Sequence, residues 1–269
     1  MTFRWLSLKD FENSHTGKAA LVLAHGPSLN KVKPYLDSFR AANGIIFGCN
    51  DWYNMYSTIP DYWVMANADI NIQTECKKIG KSQDQLRALI YADSADVTER
   101  TWIEKNIDVP VLPYDQRHFQ GSPCSERRLK PYKILKRRLT RKKICCDQII
   151  PGRLTIQEYL ANFLGSEIRY GTGNTVALHQ ISLAIIAGCN PVYFVGVDLD
   201  YRLGYANGGV APDVTYFDID RNEILRDLLT IRHIAEKKGV HIKNLNVEST
   251  YSVIDLENLE ISELFSERR

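Results

Sequence analysis

LVLAHGPSLN, residues 21–30, is the stretch on which the fold turns. An apolar run meets Ala24-His25-Gly26-Pro27-Ser28, and residues with helical spacing follow as far as Phe39. A short unbroken apolar run that stops on glycine, proline and serine reads as a buried strand ending in a tight turn. Gly26 permits close backbone approach, and Ser28 is placed to cap the helix after it. Free N–H groups at such a helix start favour an anion. Pro34 is expected to delay or interrupt that helix, and Gly44 to break it.

The same grammar repeats outward from this stretch. GIIFGCN (44–50), PDYWVMAN (60–67), ALIYAD (88–93) and VPVLP (109–113) are further apolar runs, with a helical segment at 98–106. In the second half, 155–164 and 174–187 read as helices, the latter stopped by Gly188. PVYFVGVD (191–198) is a buried strand, 222–238 is a helix stopped by Gly239, and 240–246 is a last strand. A short helix is expected at 255–265. Short apolar runs alternating with helices specify parallel strands joined by crossover helices. The expectation is a single α/β domain over residues 1–269, with a doubly wound, mostly parallel sheet of Rossmann-like, nucleotide-binding topology.

Bulk properties fit that reading. The 269 residues are 44% hydrophobic and 25% charged, with a net charge of +2. The balance favours no particular partner, but its distribution is uneven. Residues 127–143 hold ten Lys and Arg and no acid. The surrounding stretch, 115–150, reads as a basic insertion or lid within the domain, either a solvated face or an attraction to anionic head groups or phosphates. Nucleic acid is not expected as a partner, since no interleaved aromatics or known module accompany the charge. The start MTFRWLSLKDFENSH has no apolar h-region, and no window approaches the roughly 18 apolar residues of a membrane-spanning helix. Six cysteines form no CxxC pair and no zinc spacing. The expected setting is cytoplasmic with reduced thiols, with peripheral contact to the inner membrane through 127–143.

In doubly wound sheets, ligands sit beyond the carboxyl ends of the strands. Five such places stand out. The first is the His25-Gly26-Pro27-Ser28 turn. The second and third are Asn50, in Cys49-Asn50-Asp51-Trp52-Tyr53, and Asn67, each directly after an apolar run. An asparagine side chain carries both donor and acceptor, which suits a base edge or a ribose, and it is also a turn former. The fourth is Arg169-Tyr170-Gly171-Thr172-Gly173-Asn174 before an apolar helix, a second candidate phosphate site. The fifth is Asp198-Leu199-Asp200-Tyr201, with Tyr205 beyond it. Asp-x-Asp after a strand resembles the divalent-metal signature of many nucleotide-sugar glycosyltransferases; against it stands the stronger reading, a role for Asp198 in holding loops together.

Gly-Pro-Ser-Leu, Cys-Asn-x-x-Tyr and Thr-Gly-Asn-Thr-Val-Ala, with Val-Tyr-Phe-Val-Gly-Val-Asp after the apolar helix, together resemble one group of proteins. The group is the bacterial lipooligosaccharide sialyltransferase family with its broad relatives, the motility-associated-factor glycosyltransferases and the 6-hydroxymethylpterin diphosphokinase-like proteins. The likeness spans roughly residues 20–75 and 165–250. It implies a glycosyltransferase that uses a nucleotide-activated sugar, a CMP-sugar first, on a surface glycan or glycolipid acceptor, and that needs no metal. Gly26, Pro27 and Ser28 match the turn against the nucleotide, and Asn50 and Asn67 match asparagines facing CMP. Arg169, Thr172 and Gly173 match the segment at the cytidine phosphate. Tyr201 and Tyr205 approximate two tyrosines that bond the leaving phosphate, at a spacing of four where the family has six. His25 replaces an asparagine and is expected to offer the ligand a hydrogen bond. The family's catalytic histidine has no counterpart in 214–220, where Asp218 is the nearest general base. To serve, its pKa would have to be raised by burial. The alternatives are a pterin diphosphokinase-like enzyme with ATP and Mg²⁺ on Asp198 and Asp200, and a non-catalytic nucleotide-binding module. Such a domain is also compatible with a homo-oligomer.

Overall fold

The computed structural model describes residues 3–66, 72–93, 97–114, 154–168, 170, 171, 175–210 and 217–246, with the backbone alone at 81–83, 201 and 217–220. Eight strands form one sheet: β1 (Arg4–Trp5), β2 (Ala20–Leu23), β3 (Ile45–Cys49), β4 (Tyr62–Met65), β5 (Ala88–Ala92), β6 (Pro110–Tyr114), β7 (Val192–Val195) and β8 (Ile242–Asn244). The order is β1-β6-β5-β4-β3-β2-β7-β8, and every pairing is parallel. Among the described residues the helices are α1 (Leu29–Val32), α2 (Leu36–Ala41), α3 (Ile72–Ile79), α4 (Val97–Asn106), α5 (Ile156–Phe163), α6 (Val176–Ile186) and α7 (Phe217–Glu236).

The parallel sheet explains the unbroken apolar runs. With both faces covered, each strand must be apolar on both sides. Ala20, Val22, Ile45, Phe47, Val64, Ile90, Val192 and Phe194 pack on one side with residues of α5, α6 and α7. Leu21, Leu23, Ile46, Trp63, Met65, Leu89 and Val195 pack on the other with residues of α1 to α4. The alternation is the period of two of an extended chain. Helix α6 is buried from Ala177 to Ile186, the mark of a helix enclosed by sheet and neighbours.

The punctuation behaves largely as the sequence indicates. Pro34 divides the first helical segment: α1 passes through a 3-10 turn, Lys33–Tyr35, before α2. Asn43 carries the left-handed conformation after α2 (φ +66°), while Gly44 packs against Phe39. Gly188 and Gly239 adopt φ +79° and +74° after α6 and α7, as helix-ending glycines do. Helix α5 opens on a capping box between Thr155 and Glu158. Strand β1 and helix α3 have no counterpart in the sequence reading. The stretch 115–150, including the basic run 127–143, and the expected helix at 255–265 lie outside the described residues. No helix among the described residues is long and apolar enough to cross a membrane. Cys49, Cys76 and Cys189 are free and buried.

One buried pair lies away from the strand ends where ligands sit. His15 Nε2 is 2.6 Å from the Tyr62 hydroxyl. Burial, with the Arg87 and Lys18 charges, brings the His15 pKa down to about 4, against the weaker pull of Asp61. The folded pKa lies below the unfolded one, so the unfolded chain binds more protons between the two values. Stability contributed by neutral His15 is therefore present above pH 6.5 and lost as pH falls toward 4, by at most about 3 kcal/mol. Urea denaturation at pH 7 and pH 4.5 should show this loss in the wild type and a smaller one in His15→Gln. Equal losses would remove His15 from the account.

Candidate functional site

The strand order fixes where a ligand site belongs. From β2 the chain moves outward through β3, β4, β5 and β6, then returns to place β7 and β8 on the other side of β2. The reversal between β2 and β7 is a topological switch point, and crevices form at the carboxyl ends there. The turn 24–28 follows β2 at this position, and the segment from Gly196 to Asp198 follows β7.

The two loops are locked together. Ser28 N–H donates to Asp198 Oδ2 at 2.8 Å, the Ser28 hydroxyl donates to Asp198 Oδ1, and Gly196 N–H donates to Ser28 Oγ at 2.9 Å. Asn246, just after β8, donates from Nδ2 to Asp198 Oδ1 at 2.8 Å. Gly26 N–H donates to the Gly196 carbonyl at 2.8 Å. A Cβ on Gly26 would lie 2.4 Å from Asp198 Oδ2, and one on Gly196, where φ is +79°, would lie 2.4 Å from the Ala24 carbonyl oxygen. Both glycines serve the approach of loop to loop.

This geometry changes the reading of Ser28 and of the helix start. The Ser28 side chain makes no capping bond to α1; it reaches across to β7. Leu29, Asn30 and Lys31 N–H bond the carbonyls of Gly26, Pro27 and Ser28. The anion at this turn is the protein's own Asp198 carboxylate. Asp200 is taken up as well: Arg202 bonds it through Nε at 2.8 Å and Nη2 at 2.7 Å, and holds its pKa below the ordinary carboxylate range. Among the described residues no group of three His, Cys, Asp or Glu side chains is placed to hold a metal.

On the other side of β2, His25 meets β3. Its Nε2 is 3.1 Å from the Cys49 carbonyl, which only accepts, so Nε2 carries the proton. Nδ1 is 3.5 Å from Asp51 Oδ1. Burial lowers the His25 pKa, against the raising effects of Asp51 and the Cys49 carbonyl. The ring is therefore neutral at neutral pH, and its Nδ1 presents a lone pair beside the Asp51 carboxylate. Asn54 Nδ2 donates to Asp51 Oδ2 at 3.0 Å. Cys49 Sγ, 3.5 Å from His25 Nε2, completes a Cys-His-Asp line. That thiol is 1% exposed, donates to the Leu23 carbonyl, and has its pKa pushed well up by burial, so it is no nucleophile.

Asn50 sits at the tip of β3 with φ +41°. Its Oδ1 accepts from Ala66 N–H at 3.1 Å and its carbonyl accepts from Trp63 Nε1 at 2.6 Å, tying β3 to β4. Its Nδ2 is left unbonded among the described residues. Tyr205 stands beside His25, its ring edge-on with centroids 6.3 Å apart. The turn that carries it is anchored by Ala206 N–H on the His25 carbonyl at 2.8 Å. Burial, and then Asp51, raise the Tyr205 pKa, so its hydroxyl stays protonated.

The structure thus brings together His25, Gly26, Pro27, Ser28, Asn50, Asp198 and Tyr205, and adds Asp51 and Asn246. Asn67, Arg169, Thr172 and Gly173 lie outside the described residues, as do the side chains of Tyr201 and Asp218. The backbone of Tyr201 opens the 3-10 turn Tyr201–Leu203, and that of Asp218 lies in the first turn of α7. Asp51 was legible only as the neighbour of Asn50, and Asn246 carried no motif.

Sheet order, with helices on both faces, defines a doubly wound α/β protein, and its switch point is the candidate site. No protein-family profile matches the sequence, and no curated protein does. Among solved structures, the chain is similar to the sialyltransferase CST-II in complex with a trisaccharide acceptor and CMP, at TM-score 0.47 and 14% identity over 88% of this chain and 84% of that one. It is also similar to CstII from Campylobacter jejuni with cytidine-5'-monophosphate, at TM-score 0.45, 14% identity and the same coverage. A third similar structure is CstII with CMP-3FNeuAc, at TM-score 0.40 and 15% identity over 86% of this chain and 81% of that one.

Proposed function

We propose that the protein is a glycosyltransferase that moves a sugar from a nucleotide-activated donor, a CMP-sugar first, to a glycan or glycolipid acceptor. The observation that carries this reading is that His25, in the Gly-Pro-Ser turn at the switch point, meets both the end of β3 at Cys49 and Asp51 and the ring of Tyr205. In this reading the nucleotide lies across the ends of β2, β3 and β4, against Asn50 and Asn67. Arg169, Thr172 and Gly173 take its phosphate. The acceptor hydroxyl attacks the anomeric carbon, the bond to the phosphate oxygen breaks, and Asp218 receives the hydroxyl proton. Tyr201 and Tyr205 donate to the departing phosphate, and a protonated Tyr205 is suited to that part. The basic segment 127–143 holds the enzyme near an anionic acceptor or membrane surface.

The proposal assigns no metal to Asp198 or Asp200, because Ser28, Asn246 and Arg202 already bond their oxygens. Donor hydrolysis should persist in EDTA. Tyr205→Phe should lower kcat by about 100-fold, the scale of one lost donor to a developing charge. The reading fails if neither CMP nor any nucleotide-diphosphate sugar binds at millimolar concentration. Metal-dependent AMP release with a pterin would select diphosphoryl transfer instead.

A further inference from the structure

We propose that His25 and Asp51 form a receptor for the vicinal hydroxyls of a ribose, so that the site takes ribonucleotides and discriminates against their deoxy forms. This inference rests on the nucleotide-binding reading above and names the sugar moiety it requires.

The first support is position. In doubly wound dinucleotide-binding folds an acid about 20 residues after the glycine turn, at the tip of the adjacent strand, bonds the ribose hydroxyls; the glycine turn here holds Asp198 in place of a phosphate, and the acid keeps its place. Here β2 is the strand at the switch point, β3 is its neighbour, and Asp51 stands two residues beyond β3 and 25 residues after Gly26.

The second support is chemistry. His25 Nε2–H is committed to the Cys49 carbonyl, which leaves Nδ1 as an acceptor 3.5 Å from Asp51 Oδ1. Two acceptors side by side have no proton between them and repel. Two adjacent hydroxyl groups satisfy both: one donates to the carboxylate, the other to the imidazole. The burial that lowers the His25 pKa keeps that lone pair available. Asn54 fixes the other carboxylate oxygen at 3.0 Å, so Asp51 is held in place. The Asp51 side chain is 39% exposed and that of His25 14%, which leaves this edge open to a ligand. Asn50 Nδ2, unbonded among the described residues, adds a donor from the preceding residue.

Calorimetry with the four ribonucleoside monophosphates and their 2′-deoxy and 3′-deoxy counterparts tests this. The wild type should bind at least one ribonucleotide about tenfold or more tightly than either deoxy form, as expected for a hydroxyl bonded to a charged acceptor. Asp51→Asn and Asp51→Ala should erase that preference by weakening ribonucleotide binding while leaving the deoxy affinities in place. Wild-type affinities equal for ribo and deoxy forms overturn the diol receptor and leave the nucleotide site standing; this comparison needs no variant to fold. A preference that survives both substitutions, in protein whose melting temperature is unchanged, also overturns it. No binding by any nucleotide overturns the diol receptor and the proposed function together.

Discussion

Gly196→Ala is expected to destabilise the protein by about 3 kcal/mol, read as a lower urea midpoint. Two costs add. A non-glycine residue in the left-handed region costs roughly 1–2 kcal/mol, and an inserted methyl in a packed site costs about 1–3 kcal/mol. The second cost applies because the new Cβ would lie 2.4 Å from the Ala24 carbonyl oxygen, a backbone atom in the turn that follows β2. The β2 and β7 loops would have to separate, so nucleotide binding should fall with stability. Gly17→Ala is the control. Gly17 has φ +74°, yet nothing lies within 4 Å of its Cβ position. It should show only the conformational cost, roughly 1–2 kcal/mol. Equal effects at the two sites would mean that loop-to-loop packing at the switch point contributes nothing.

Asp198→Ala carries the second large effect. Asp198 is 8% exposed and receives Ser28 N–H, the Ser28 hydroxyl and Asn246 Nδ2. Its removal leaves these donors without their carboxylate, at about 1–3 kcal/mol for each group that stays buried and unsatisfied. A loss of about 3–4 kcal/mol in metal-free buffer is expected, together with loosening of the 24–28 turn. The outcome separates two roles for the same residue. A carboxylate kept for a metal would be dispensable to stability in EDTA. The bonds described above require the opposite.

Much of this fold was readable from the sequence, for a physical reason. A parallel sheet buries both faces of its strands, so β2 to β7 stand out as short apolar runs, and helix-ending glycines at 188 and 239 mark the crossovers. The exceptions had weak signals. β1 is two exposed residues at the sheet edge, and α3 buries Ile72, Cys76 and Ile79 among charged neighbours over a single short helix. That His25, Asn50 and Asp198 stand at strand ends was legible from the apolar runs before them. Their partners were not. Ser28 and Asp198 are 170 residues apart, and only the adjacency of β2 and β7 brings them together. Read locally, Ser28 is a helix cap and Asp198 half of a metal motif; read in the sheet, each satisfies the other. The same holds for His25, whose proton placement follows from the Cys49 carbonyl on the next strand.

The central claim is that the ends of β2 and β3 beside this switch point hold a nucleotide. A crystal structure of the protein with CMP tests it most directly. The account predicts the nucleotide against Asn50 and Asp51, with the Gly26–Ser28 turn still bonded to Asp198 and the phosphate displaced toward residues 169–173. CMP bound elsewhere on the protein, or its phosphate seated on Ser28 N–H in place of the Asp198 carboxylate, would contradict it.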